Sequence, residues 1–148
     1  MANSFIQLNV HITFHVKPDG ATIKLSDLPR LFSYLGGCAR EQGAKALSVG
    51  GMPDHIHMLV SIPATIAVSE FVKNVKVWSS KWLKALGDTY RGFAWQDGYG
   101  AFSVSHSVLP KTVNYIANQS EHHKKMTFME EYKRILQANE ITYEEKYL

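Results

Sequence analysis

Between residues 5 and 16 the hydrophobic positions recur at every second place. Ile6, Leu8, Val10, Ile12, Phe14 and Val16 fall on one side of an extended chain, and Gln7, Asn9, His11, Thr13 and His15 on the other. That period predicts a long strand with one apolar face. Its polar face, His11 and His15 included, is read as facing solvent, with an approach to a metal site as the alternative. Lys17-Pro18-Asp19-Gly20 closes the strand as a turn. The period then changes. Leu28, Leu31, Phe32, Leu35 and Ala39 follow at helical spacing, with Ser26 or Asp27 as N-cap and Pro29 in the first turn. This helix runs to about Gln42, where Gly43 suits the C-terminal cap.

Residues 45 to 51 and 55 to 62 flank Met52-Pro53-Asp54 and predict a hairpin of two short strands. In the second strand Ile56, Met58, Val60 and Ile62 face one way, and His55, His57, Leu59 and Ser61 the other. A helix fits residues 67 to 86, with Val68, Phe71, Val72, Val75, Trp78, Trp82 and Leu86 as its apolar stripe. A loop rich in glycine and aromatics, Arg91 to Gly100, leads to a fourth strand near Phe102 to Ser107. Pro110 opens a third helix over 111 to 123, and a fourth fits 127 to 139 before an acidic, tyrosine-rich tail. The order predicts a ferredoxin-like α+β domain: a βαββαβ antiparallel sheet with helices added at its C-terminal side. Residues 1–148 read as one domain. The scaffold by itself names no function.

Composition narrows the setting. Hydrophobic residues make up 45% and charged residues 20%, ordinary for a folded domain that needs no disulfide to hold its core. The single cysteine, Cys38, sits in an apolar helical stretch and reads as a buried, inert thiol, which suits a reducing compartment. No run of 18 apolar residues and no signal-like start is present, so the expected location is the cytoplasm, with no membrane partner. A net charge of +3 permits nucleic-acid binding without requiring it. The placement of the charge matters more. Lys73 and Lys76 lie on the 67–86 helix and are candidate phosphate contacts, while Trp78 and Trp82 on the same helix fit its core stripe. Arg91, with Phe93 and Trp95, is a candidate stacking loop. Lys124 and Lys125 follow His122 and His123 at a basic helix end that favours anions.

Two elements carry candidate chemistry. In His55-Ile56-His57 the histidines share one face of a strand while Ile56 enters the core, so two imidazoles can grip one divalent ion. The spacing alone equally fits two ordinary histidines on a half-exposed sheet. On the third helix Tyr115 and Gln119 are four apart and project together, offering a phenol and an amide oxygen. Nitrogen and oxygen donors suit Mg²⁺ or Mn²⁺ better than a thiolate-seeking ion. A surface tyrosine beside a solvated glutamine fits that spacing too. Asp54 reads first as a turn residue after Pro53, and second as a partner that orients His55.

The stretch Gly51-Met52-Pro53-Asp54-His55-Ile56-His57-Met58-Leu59-Val60 resembles the paired-histidine motif of the small single-tyrosine transposases of insertion sequences. Trp95-Gln96-Asp97-Gly98-Tyr99-Gly100-Ala101-Phe102-Ser103-Val104-Ser105, Tyr115-Ile116-Ala117-Asn118-Gln119-Ser120-Glu121-His122-His123-Lys124-Lys125 and the ending Thr127-Phe128 through Tyr143-Glu144-Glu145-Lys146-Tyr147-Leu148 are similar to later segments of that family, in the same order, so the resemblance covers essentially the whole chain. Domesticated relatives tied to repetitive palindromes share these motifs. The resemblance implies a DNA transposase that binds single-stranded DNA hairpins and cuts and rejoins strands through a tyrosine nucleophile. It maps the nucleophile to Tyr115 and the metal ligands to His55, His57 and Gln119, with Mg²⁺ or Mn²⁺ as cofactor and a homodimer as the expected assembly. No nucleotide cofactor is implied, and no GxxxxGK[ST] loop is present. A rival reading is a non-catalytic ferredoxin-like nucleic-acid-binding protein, although Phe102-Ser103-Val104-Ser105 lacks the glycine-aromatic signature of RNA readers.

Overall fold

A computed structural model describes residues 3–148. β1 (Asn9–His15) is a central strand because both of its neighbours pair with it antiparallel: β3 (His55–Ser61) on one side and β4 (Gly100–Ser103) on the other. β2 (Lys45–Met52) completes the sheet beyond β3, giving the order β2-β3-β1-β4. This is the ferredoxin-like arrangement that the element order predicts.

Two helices cover one face. Ile12 and Phe14 of β1 and Ile56, Met58 and Val60 of β3 are buried there. They meet Leu31, Leu35 and Ala39 of α1 (Leu28–Glu41) and Phe71, Val72, Val75 and Leu83 of α2 (Val68–Ala85) in one core cluster. Alternation on the strands and 3.6-residue spacing on the helices bring these groups together. Cys38 is buried in this cluster, and burial pushes its thiol up to about 11. Gly43 ends α1 with φ 76°, a left-handed conformation that glycine adopts freely.

The second face departs from expectation. His11, Thr13 and His15 of β1 and His55 and His57 of β3 all point to it, and all are buried. Three helices cover it: α3 (Leu109–Ala117), α4 (Gln119–His122) and α5 (Phe128–Ala138). His11 and His15 therefore do not face solvent. α3 comes close to β2 because Gly50 has no side chain. A Cβ there would lie 2.4 Å from the carbonyl oxygen of Ile116.

Other boundaries shift for local reasons. Residues 5 to 8 keep the alternation but are not strand, and Phe5 is 96% exposed. One ladder-like bond reaches that far, from the Ile62 amide to the Leu8 carbonyl. β4 starts at Gly100, two residues before the expected position. The expected single helix over 111–123 breaks at Asn118 (φ −103°, ψ 27°) into α3 and α4. The Arg91–Gly100 loop is no stacking platform. Phe93 and Trp95 are core residues, and the Trp95 indole N–H donates to Ser79 Oγ at 3.1 Å. Trp78 and Trp82 pack on the core as their stripe predicts. Among the described residues, no helix is long and apolar enough to cross a membrane.

Candidate active site

β3 delivers His55 and His57 to the same face two residues apart, with ring centroids 5.1 Å from each other. The hairpin turn places Asp54 against His55, whose Nδ1 lies 2.7 Å from Asp54 Oδ1. Asp54 is thus both a turn residue and an orienting partner. The bond from His55 holds its carboxyl below the usual range. With Nδ1 committed outward, His55 turns Nε2 into the site, 2.7 Å from Gln119 Oε1.

The expected quartet of His55, His57, Tyr115 and Gln119 does meet, in one protomer. Tyr115 and Gln119 do not share a continuous helix, yet both reach the histidines. The Tyr115 ring is 5.8 Å from that of His57. What joins the four is a fifth residue, Glu131, from α5. Its Oε1 lies 2.9 Å from His57 Nε2, 3.2 Å from His123 Nε2 and 3.6 Å from His55 Nε2. Its Oε2 accepts from the Tyr115 hydroxyl and, at 3.1 Å, from the Gln119 amide. His55 and His57 are 0% exposed and Glu131 1%. Glu131 has a sequence signal that the readings above pass over. It sits on the apolar stripe formed by Phe128, Tyr132, Ile135 and Leu136, where a carboxylate is costly unless it is paired. Thr127 and Glu130 start this helix with a capping box, which fixes where that stripe points.

The electrostatics follow from these contacts. Burial alone would raise the Glu131 carboxyl, but hydrogen bonds from His57, Tyr115 and Gln119 outweigh it and hold the group well below the carboxylate range. Burial lowers His57 and keeps its imidazole neutral beside this carboxylate. Tyr115 is pushed above the ordinary phenol range, first by burial and then by its bond to Glu131. His11 is lowered to about 3, chiefly by burial and then by His57.

The donor set fits a divalent ion. One ring nitrogen each of His55 and His57 and a Glu131 oxygen lie within 4.8 Å of one another, and Gln119 Oε1 is 2.7 Å from His55 Nε2. Adjacent ligands around an ion at about 2.1 Å are about 3 Å apart, close to the spacings here. Two imidazoles with oxygen donors suit a borderline or hard cation.

Two clefts open beside the cluster. One is lined by Asp54, His123, Lys124, Lys125, Thr127 and Phe128, and the other by Tyr115, His122, Glu131, Arg134 and Ile135. The remaining basic candidates lie apart from them. Lys73 pairs with Glu70 at 3.5 Å, and Arg91 with Asp88 at 3.0 Å. Lys76 donates to the Gln96 carbonyl at 2.8 Å and also to Gly98, so its ammonium ties down the loop before β4.

The class is thus a ferredoxin-like α+β domain that gathers a histidine pair and a tyrosine on one buried sheet face. Residues 4–119 match the model of the IS200-like transposases, and the chain belongs to that family. It is 26% identical over 120 residues to the ISDra2 transposase TnpA of Deinococcus radiodurans, covering 78% of this chain and 86% of that one. Its fold is similar to a crystal structure of a candidate transposase from Deinococcus radiodurans R1, with TM-score 0.63, 21% identity and coverage of 80% and 95%. It is also similar to a REP-associated tyrosine transposase bound to a REP hairpin, with TM-score 0.60, 13% identity and coverage of 83% and 73%.

Proposed function

We propose that the protein is a metal-dependent single-stranded DNA endonuclease and strand transferase, with Tyr115 as nucleophile. One observation carries this reading. A single carboxylate, Glu131, touches the Tyr115 phenol through one oxygen and His57 through the other. A free phenol has pKa ~10 and attacks poorly at neutral pH. Burial makes Tyr115 weaker still. It therefore needs a base in contact and a stabilised phosphorane charge. Glu131 Oε2, ionised and in contact with the phenol, accepts its proton only as the new O–P bond forms, because its own affinity for a proton is low. A Mg²⁺ or Mn²⁺ ion held by His55, His57 and Glu131, with Gln119 beside them, would supply Lewis acidity at a non-bridging phosphate oxygen.

In the cleavage step the phenol oxygen attacks phosphorus in line as its proton passes by way of Glu131 to solvent. An O–P bond forms, the bond to the 3′ oxygen breaks, and that oxygen takes a proton from solvent. The products are a 5′-phosphotyrosine and a free 3′-hydroxyl. The covalent link keeps the phosphodiester's energy, so another 3′-hydroxyl can reverse the step and join strands without a nucleotide cofactor. All five side chains come together within one chain, and in the expected homodimer the tyrosine helix of either subunit could complete the site. Lys124 and Lys125 line the cleft next to Asp54 and favour an anionic strand there. The hairpin carried by the REP-associated relative supports hairpin DNA as the substrate class.

The test is incubation with end-labelled single-stranded hairpin oligonucleotides and Mn²⁺ or Mg²⁺, read on a denaturing gel. A protein–DNA adduct is expected with wild type and none with Tyr115→Phe, which still binds DNA. An adduct with the phenylalanine variant would move the nucleophile elsewhere. An undiminished adduct in excess EDTA would remove the metal.

A further inference from the structure

His11 has no part in the chemistry above, yet it makes the one inward contact to the far side of a proposed ligand. It sits on β1 opposite Leu59, one same-face step along the ladder from His57, whose direct partner is Thr13. Thr13 is small and turns its hydroxyl to the Ile56 carbonyl at 2.9 Å, which leaves room above it. His11 leans across that space. Its Nε2 lies 2.8 Å from His57 Nδ1, with ring centroids 5.0 Å apart.

Both nitrogens of His57 are therefore taken: Nδ1 by His11, and Nε2 by Glu131 at 2.9 Å. A carboxylate accepts only. As the side chains stand, Nε2 of His57 donates to Glu131, and Nδ1 accepts from Nε2–H of His11. A ligand must instead offer Nε2 as a lone pair, which requires the proton on Nδ1 and an acceptor for it. His11 is the side chain placed to be that acceptor.

We propose that His11 is a positioning residue that sets the tautomer of His57 and so makes it a competent metal ligand. This rests on the metal-dependent reading above. On loading, the Nε2 proton of His57 leaves to solvent, the His11 Nε2 proton crosses to His57 Nδ1, and His11 takes a proton from solvent at its own Nδ1. Two protons are held before and two after, so both rings stay neutral. His11 keeps 8% of its surface exposed, which gives the ring edge access to water for the exchange. Either state of the pair satisfies the 2.8 Å bond. An imidazole can reverse its donor and acceptor ends, which no hydroxyl-free apolar side chain can do.

The test uses the full chain and Mn²⁺ alone, with the free-ion signal read by electron paramagnetic resonance. His11→Gln places an amide oxygen near the Nε2 position, His11→Asn is too short to do so, and His11→Leu has no acceptor. Wild type and His11→Gln are expected to bind within about threefold of each other. His11→Leu and His11→Asn should bind ~10–100-fold more weakly, the usual cost of losing a ligand's hydrogen-bond partner. Circular dichroism checks the fold, and if the leucine variant does not fold, the Asn–Gln pair decides. Equal binding by all four proteins overturns the role of His11 and leaves the metal site standing. Glutamine as weak as asparagine also overturns it, because the effect would then be one of shape. No Mn²⁺ bound by wild type overturns the metal-dependent reading, and this inference with it.

Discussion

Glu131→Gln is the most informative single change, because it keeps the shape of the side chain and removes its charge. In the folded protein this carboxylate accepts from the Tyr115 hydroxyl, His57 at 2.9 Å, Gln119 at 3.1 Å and His123 at 3.2 Å. Its lowered pKa means that the site prefers the ionised form more than water does, despite complete burial. A neutral isostere loses that preference. It also sets an amide N–H against the Gln119 amide N–H until one of the two amides turns over, which breaks a bond elsewhere in the network. A hydrogen bond to a charged group contributes about 1.5–3 kcal/mol, and an unsatisfied buried donor costs about 1–3 kcal/mol. Partial relaxation makes the expected loss about 3 kcal/mol. In a domain of this size ~1 kcal/mol moves the melting temperature by ~2–4 °C, so the variant should melt about 6–12 °C lower. Thermal and urea unfolding in EDTA, followed by circular dichroism, measures this. A variant within about 0.5 kcal/mol of wild type would refute the claim that Glu131 is the hub of the buried network.

Three further outcomes test other links. Gly50→Ala puts a methyl group against the Ile116 carbonyl of the helix that carries Tyr115. It should destabilise by about 1–3 kcal/mol, as overpacking does, and reduce adduct formation; unchanged unfolding and adduct yield would mean that α3 sits farther from β2. The Tyr115 phenol is raised, so its neutral form stabilises the fold below the unfolded pKa of ~10, and that contribution is lost as pH rises through the higher folded value. Absorbance titration of wild type against Tyr115→Phe should place the difference above pH ~10, and a difference centred at the free-phenol value would contradict the buried contact with Glu131. Cys38, pushed up to about 11 from an ordinary 9.0, should react ~100-fold more slowly with iodoacetamide at pH 8 than in the urea-unfolded chain; equal rates would show an accessible thiol.

The sheet and two of its helices were legible because their signals are local. Alternation from Ile6 to Val16, the hairpin around Met52-Pro53-Asp54 and the stripes of α1 and α2 each report a face that meets the main core. The second face was not legible in the same way. Its strand residues are His11, Thr13, His15, His55 and His57, which read as polar and hence as exposed. Hydropathy records whether a side chain prefers water. It does not record whether another element supplies its hydrogen bonds. The break at Asn118 escaped for a similar reason, since the chain bends there to bring Gln119 onto His55 at 2.7 Å.

The least visible member of the site is also the one that ties it together. The family match runs from residue 4 to 119 and so contains His55, His57, Tyr115 and Gln119 but stops short of α5. Glu131 comes from that last helix, which docks through a separate small apolar cluster of Phe102, Phe128, Tyr132 and Leu136. Phe128 also stacks on the His55 ring, with centroids 4.3 Å apart. A glutamate on the buried stripe of such a helix costs several kcal/mol unless donors wait for it. Here four do, from β3, α3 and the segment around α4. Pattern and energetics conflict at this one position, and the conflict is resolved only by the histidine pair and the phenol. A buried carboxylate whose partners are two candidate ligands and a candidate nucleophile is hard to explain as packing, because leucine at the same place would pack at lower cost.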